Sequence, residues 1–213
     1  MTNFIRIFPL GIVVYPGESL NLHIFEDRYI QLVNECHTEG KPFGVPPVLG
    51  NTIKETGTLV EITEITEVLA DGSMNIRTRG LSVFKILEIV RAVPGKQYNG
   101  AIVNHPPNDI TERPQRMSSV LAGIRQLHEV LKVSKVFPKP DRELTSYDVA
   151  HHASLSPEQE YELLELLRED QRLEYLKRHL KKVLPLVGGI EALKERIQLN
   201  GHFKELKGFD LDL

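Results

Sequence analysis

Apolar positions recur at a period of two through the first half of the chain and at a period of about 3.6 through the second, so strands should precede helices. Two apolar runs near the start, Ile12–Tyr15 and Leu20–Phe25, are too short for stable helices and rich in β-branched and aromatic residues; both read as strands. Pro16-Gly17-Glu18 separates them and places proline and glycine at the central positions of a type II turn. Phe8-Pro9-Leu10-Gly11 reads as a second corner, fed by a strand over residues 3–8. From Glu26 the period changes: Tyr29, Ile30, Leu32, Val33 and Cys36 share one face of a helix near residues 27–37. Gly40 should end it in a left-handed conformation. Phe43–Leu49 contains prolines and suits an edge strand, and Asn51–Thr56 is a polar loop.

Val60 and Ile62 keep one strand phase, whereas Ile65 and Val68 are three apart, which predicts a bulge near Glu64. Asp71-Gly72 predicts a type I′ hairpin turn. Met74 and Ile76 resume the alternation, Gly80 should break it, and Leu81–Val90 and Gln97–Val103 follow, with a turn at Pro94-Gly95 between them. About seven strands with short connections make a small closed or half-closed barrel.

Asn104–Pro114 carries three prolines and no apolar periodicity, the mark of an ordered linker. Beyond it Met117, Val120, Leu121, Ile124, Leu127 and Leu131 form a helical stripe that Pro138 and Pro140 should stop. Thr145 with Asp148, and Ser156 with Pro157 and Gln159, are helix-start signatures. Leu173, Leu176, Leu180 and Leu184 form another stripe, which Pro185 should end, with Lys177, Arg178, Lys181 and Lys182 near that terminus. Gly188-Gly189 should separate a last segment bearing Ile190, Leu193 and Ile197. The fold class is therefore α+β: a bent, barrel-like β domain over residues 1–105 with a short inserted helix, a linker over 106–114 and an α-helical domain over 115–213.

Composition adds limits. The formal net charge of −3 provides no overall basic field for nucleic acid or acidic lipid. The single cysteine, Cys36, excludes an internal disulfide framework and suits a reducing compartment. No leader pattern and no membrane-length apolar run is present, so a cytoplasmic location and no membrane partner are expected.

Catalytic motifs are approached and missed. Gly17-Glu18-Ser19-Leu20-Asn21 starts like a nucleophile elbow, but Asn21 replaces the last glycine and no helix follows the serine. Ser82 and Lys85 have S-x-x-K spacing inside a strand, which sends them to opposite faces. His128 and Glu129 precede Lys132, where a zinc helix needs a second histidine, and Gly95–Gly100 has phosphate-loop spacing without the Lys-Ser/Thr that follows it. Asp148, His151 and His152 could form a surface metal pair, though a solvated polar face accounts for them as well. Cys36 continues the apolar stripe and reads as a buried structural thiol. Arg172–Lys182 is basic, but Glu174 and the acids from Glu165 to Asp170 make it a mixed face. No catalytic residue, metal or cofactor is expected.

Phe8-Pro9-Leu10, Tyr15-Pro16-Gly17, Leu20-Asn21-Leu22-His23-Ile24-Phe25-Glu26 and Arg28-Tyr29 resemble the opening signature of the Lon N-terminal domain, the substrate-handling part of ATP-dependent Lon proteases. The likeness continues at Pro42-Phe43-Gly44, Gly57-Thr58-Leu59, Asp71 to Gly80 with Phe84, and Leu163–Leu173, and departs at Gly11 and Asp27. It implies a PUA-like barrel followed by helices, in a stand-alone form without phosphate loop or Ser/Lys proteolytic domain, so not an enzyme. The implied activity is ATP-independent, non-catalytic recognition of extended or partly unfolded protein segments along a strand edge or apolar groove. Tyr15, His23, Phe25 and Phe43 are the peptide-binding candidates, each with core packing as the alternative. Because PUA-like barrels often bind RNA, an RNA-binding module is the rival reading, opposed by the charge, and no nucleic-acid partner is expected.

Overall fold

The computed structural model describes residues 2–91, 93–137 and 139–202, with residues 190–202 as backbone only. Among these, strands β1 (Thr2–Arg6), β2 (Ser19–Ile24), β3 (Phe43–Val45), β4 (Val48–Leu49), β5 (Thr52–Ile53), β6 (Thr56–Val68), β7 (Met74–Val90) and β8 (Gly100–Asn104) precede most of the helices. Helix α1 (Asp27–Glu39) is inserted after β2; α2 (Pro114–Val130), α3 (Ser146–Val149), α4 (Pro157–Glu165) and α5 (Glu169–His202) follow β8. The expected α+β order is present.

The main sheet runs β1-β8-β7-β6-β3, all antiparallel, and β2 pairs with the first half of β7. Parallel bridges Ile7–Gly44 and Leu10–Pro47 join its two ends into a barrel. Residues 8–11 are therefore not a free corner. Phe8 N–H donates to the Gly44 carbonyl (2.8 Å) and Val48 N–H to Leu10 (2.7 Å), so the segment is a barrel stave. β7 is long enough to serve β2, β6 and β8 because its register slips at bulges instead of breaking. One slip falls between Ile62 and Glu64, where the apolar phase changes.

Gly80 lies inside β7 and does not end it. A Cβ there would meet the Tyr15 carbonyl oxygen at 2.2 Å, so only glycine lets the Tyr15 corner rest on the sheet. Gly17 N–H donates to Gly80 O (2.9 Å) and Gly80 N–H to Glu18 O (2.8 Å), and Gly17 at φ +86° gives the type II corner. Residues 12–15, expected as a strand, cross this place outside any strand; Thr58 Oγ1 donates to the Val14 carbonyl at 2.5 Å. The Asp71-Gly72 hairpin forms, but only Gly72 has positive φ. Gly72 N–H donates to Leu69 O, and Ser73 N–H donates to Asp71 Oδ1. That is a longer loop than a two-residue I′ turn.

Three apolar clusters fill the molecule. Ile7, Phe84, Ile86, Ala101 and Val103 fill the barrel. α1 lays Tyr29, Leu32, Val33 and Cys36 on Ile24, Phe43, Val60, Met74 and Ile76, the stripe read from the sequence. The third cluster joins the two halves: barrel residues Val13, Tyr15 and Val83 pack with Met117, Ile124, Tyr147, Leu163 and Leu176.

Two helix ends differ from the sequence reading. α2 stops before Pro138: Lys132 takes φ +54° and Val133 N–H donates to His128 O (2.9 Å), a local C-terminal cap. α5 passes through Pro185 and Gly188-Gly189. Val183, Leu184 and Val187 pack against the helical core on both sides of Pro185, and that burial outweighs a proline cost of about 3 kcal/mol. Lys177 to Lys182 therefore sit in mid-helix, not at a terminus. The side chains of Ile190, Leu193 and Ile197 lie outside the described residues.

Candidate functional site

The barrel closes imperfectly along β1. Among the described residues its ladder is with β8, and it meets β3 through the Ile7–Gly44 bridge at its end. Just past its end Ile7 N–H donates to Asn99 O (3.1 Å), while Phe8 N–H points the other way, to Gly44 O. Alternation along extended chain then turns the N–H groups of Arg6 and Phe4 to the same side as that of Phe8. Moving back from Gly44, that side meets Phe43 and then Pro42, which has no N–H, before the chain bends into the end of α1. The seam is left unzipped.

A groove of about 460 Å³ occupies it. Ile5, Leu59 and Pro42 form its apolar floor, Asn3 and Phe4 one wall, and Arg6, Lys41 and His105 the rim. Two glycines seat floor and wall: a Cβ on Gly44 would meet Ile5 Cδ1 at 2.6 Å, and one on Gly100 would collide with the Phe4 ring. Phe4 remains 49% exposed, an unusual exposure for a large apolar ring beside an unpaired strand edge.

The rim charges are balanced. Arg6 Nη2 donates to Glu39 Oε1 (2.6 Å), its Nε donates to Tyr98 Oη (3.0 Å), and Lys41 Nζ lies 3.0 Å from Glu39 Oε2. Hydrogen bonds from Lys41 and Arg6 hold the Glu39 carboxyl below its ordinary range. Burial opposes ionisation of Glu35, but Lys96 and the Tyr98 hydroxyl, which donates to it at 2.5 Å, also keep it low. The seam can thus offer backbone bonding and apolar shelter without a strong net field. Among the described residues, no group of three or more His, Cys, Asp or Glu is placed to hold a metal.

The four residues singled out by sequence do not come together. Tyr15 and Phe43 are 0% exposed; core packing, the alternative reading for each, is what they do. The Tyr15 ring stacks on Tyr147 at 5.2 Å and its hydroxyl donates to the Glu160 carbonyl at 3.0 Å. Phe43 packs 6.3 Å from Phe8. His23 and Phe25 are exposed and stack at 5.9 Å at the end of β2, outside the seam, with His23 Nδ1 2.8 Å from Asn75 Oδ1. Phe4 and Ile5, which line the groove, are not among the four. Their alternation was visible, but nothing in chain order shows which strand lacks a partner.

Other groups read from sequence have structural duties. Asp148 closes a capping box with Thr145, as does Gln159 with Ser156. Cys36 is buried, and burial pushes its thiol up to about 11. Arg172, part of the basic stretch, is wholly buried: it donates to Glu169, Ser146, Asn108 and the carbonyls of Leu166 and Asp109, and lies over the Tyr147 ring. That network binds the linker to α3 and α5. His151 spans the two halves, with Nδ1 2.7 Å from Glu160 and Nε2 3.2 Å from Glu18. No described helix is long and apolar enough to cross a membrane.

Residues 5–182 match the family model described as the ATP-dependent protease La (LON) substrate-binding domain. The crystal structure of a Lon N-terminal domain protein from Xanthomonas campestris is similar at 27% identity and TM-score 0.64, covering 82% of this chain and 96% of that one. The N-terminal domain of a Mycobacterium avium complex Lon protease shares the fold at 15% identity and TM-score 0.59, over 84% of this chain and 98% of that one. No curated protein sequence matches. With most of the bent barrel, the inserted helix and the helical half up to the middle of α5 inside the matched span, this chain belongs to the Lon substrate-binding domain family.

Proposed function

We propose that the protein is a non-catalytic recognition module that binds extended or partly unfolded protein segments, without ATP, by adding them as a strand along the open edge of β1. The observation that carries this is the unzipped seam: an edge strand with outward N–H groups beside an apolar floor of Ile5, Leu59 and Pro42. An extended segment laid there would exchange backbone hydrogen bonds with Phe4, and its alternate side chains would enter the groove. The family's substrate-binding role and the balanced rim charges support a polypeptide occupant over a polyanion.

The test separates backbone from side chain. Phe4→Pro removes an N–H that faces the open side and leaves the β8 ladder intact, a change edge strands tolerate; Phe4→Ala removes only the ring. Binding of a fluorescent, permanently unfolded reduced and carboxymethylated protein is followed by anisotropy. Saturable binding that Phe4→Pro weakens well beyond Phe4→Ala is expected. Equal affinity in wild type and Phe4→Pro would refute strand addition, and absence of saturable binding in the wild type would refute the module itself.

A further inference from the structure

A second groove lies on the opposite kind of surface, between the exposed sides of α2 and α5. One part, about 480 Å³, is lined among others by Arg116, Arg168, Tyr175 and Arg178. A contiguous part of about 400 Å³ shares Arg116 and Glu174 with it and adds Lys177. The cations Arg116, Arg168, Lys177 and Arg178 face two carboxylates, Asp170 and Glu174. Those two are already engaged: Arg116 Nη1 is 3.2 Å from Asp170, and Arg178 Nε is 2.8 Å from Glu174. Arg168 has no ion pair among the described residues, and Lys177 acts on Glu174 only through space. Hydrogen bonding from Arg178, with Lys177 and Lys181 nearby, holds the Glu174 carboxyl below its usual range.

We propose that this groove docks an acidic, extended protein segment, whose carboxylates meet Arg168 and Lys177 and share Arg178 with Glu174, and whose intervening apolar side chains rest on Leu166 and Tyr175. The assignment rests on reading the protein as a protein-recognition module and adds a second contact with its own chemical preference. The interleaving of Asp170 and Glu174 with the cations favours discrete charges on alternate residues of a peptide. A continuous phosphodiester chain would place phosphates against both carboxylates. Tyr175 is fixed for the apolar role, since its hydroxyl donates to Glu162 at 2.7 Å and its ring forms part of the wall.

The probe is a labelled twelve-residue peptide alternating aspartate and leucine, with an asparagine–leucine peptide as control, titrated by anisotropy into the full chain. Removing three exposed pairs should weaken binding about three- to 150-fold. The expected results are that the aspartate peptide binds at least about tenfold tighter than the control at low salt, that 0.5 M salt removes most of this advantage, and that Arg168→Gln/Lys177→Gln/Arg178→Gln abolishes it. All three side chains are exposed, and a circular dichroism melt confirms that the triple variant folds. Equal binding of the two peptides, an unaffected triple variant, or a single-stranded DNA oligomer bound more tightly than the aspartate peptide would each overturn the proposal. Phe4→Pro should leave this binding unchanged. Intact binding of unfolded protein at the seam alongside a silent aspartate peptide would sink the second groove alone.

Discussion

Raising the pH should loosen the junction between barrel and helices through one side chain, His151. Its ring nitrogens lie 2.7 Å from Glu160 on α4 and 3.2 Å from Glu18 at the barrel corner, and its ring lies 4.8 Å from that of Tyr15. Burial works against a charged imidazole here, but the two carboxylates outweigh it and hold the group up at about 9, against 6.5 when free. A folded-state pKa above the unfolded one means that the imidazolium's contribution is complete below pH 6.5 and is lost as pH rises through 9. The full shift would correspond to about 3.4 kcal/mol at 1.36 kcal/mol per pKa unit. The side chain is 37% exposed, however, so solvent screening reduces the expectation to about 1 kcal/mol. For a chain of this size that is a Tm change of about 2–4 °C. Melting wild type and His151→Gln at constant ionic strength should show the wild type ahead by that margin at pH 6 and the gap closing by pH 10. A gap that stays constant across the range, or a His151 titration by NMR at or below 6.5, would refute the clamp.

Two further outcomes probe the same junction. Arg172→Ala leaves Glu169, itself 0% exposed, as an unpaired buried charge along with four other acceptors, and should cost about 3–5 kcal/mol in urea unfolding; a loss under 1 kcal/mol would mean the network does not hold the linker. Gly80→Ala drives a Cβ toward the Tyr15 carbonyl and should cost about 1–3 kcal/mol. Because it displaces Glu18, it should also bring the His151 titration closer to its free value; an unchanged titration would show that the corner absorbs the methyl elsewhere.

Periodicity carried the elements well and their partners poorly. The α1 face, the α2 stripe and both capping boxes were legible because each is set by residues within a few positions of one another. Where the reading failed, distant contacts decided. Gly80 looked like a strand breaker, yet its lack of a Cβ serves Tyr15, far away in sequence. Pro185 looked like a helix end until the packing of Val183, Leu184 and Val187 is counted. The same limit governed the candidate site. Aromatic residues near the signature corner drew attention, and the signature is strong there because that corner is where the two halves meet: Tyr15 is wedged against Tyr147 and His151, which leaves it no free surface. An open strand edge arises instead where pairing stops. The ladder to β3 does not continue past Pro42, which has no N–H to give the Phe4 carbonyl across the seam, and that fact becomes visible only once the Ile7–Gly44 bridge has set the two strands side by side. A residue's type can therefore nominate it for binding, but a free strand edge belongs to the topology, and in this fold the topology places the opening a full stave away from the motif.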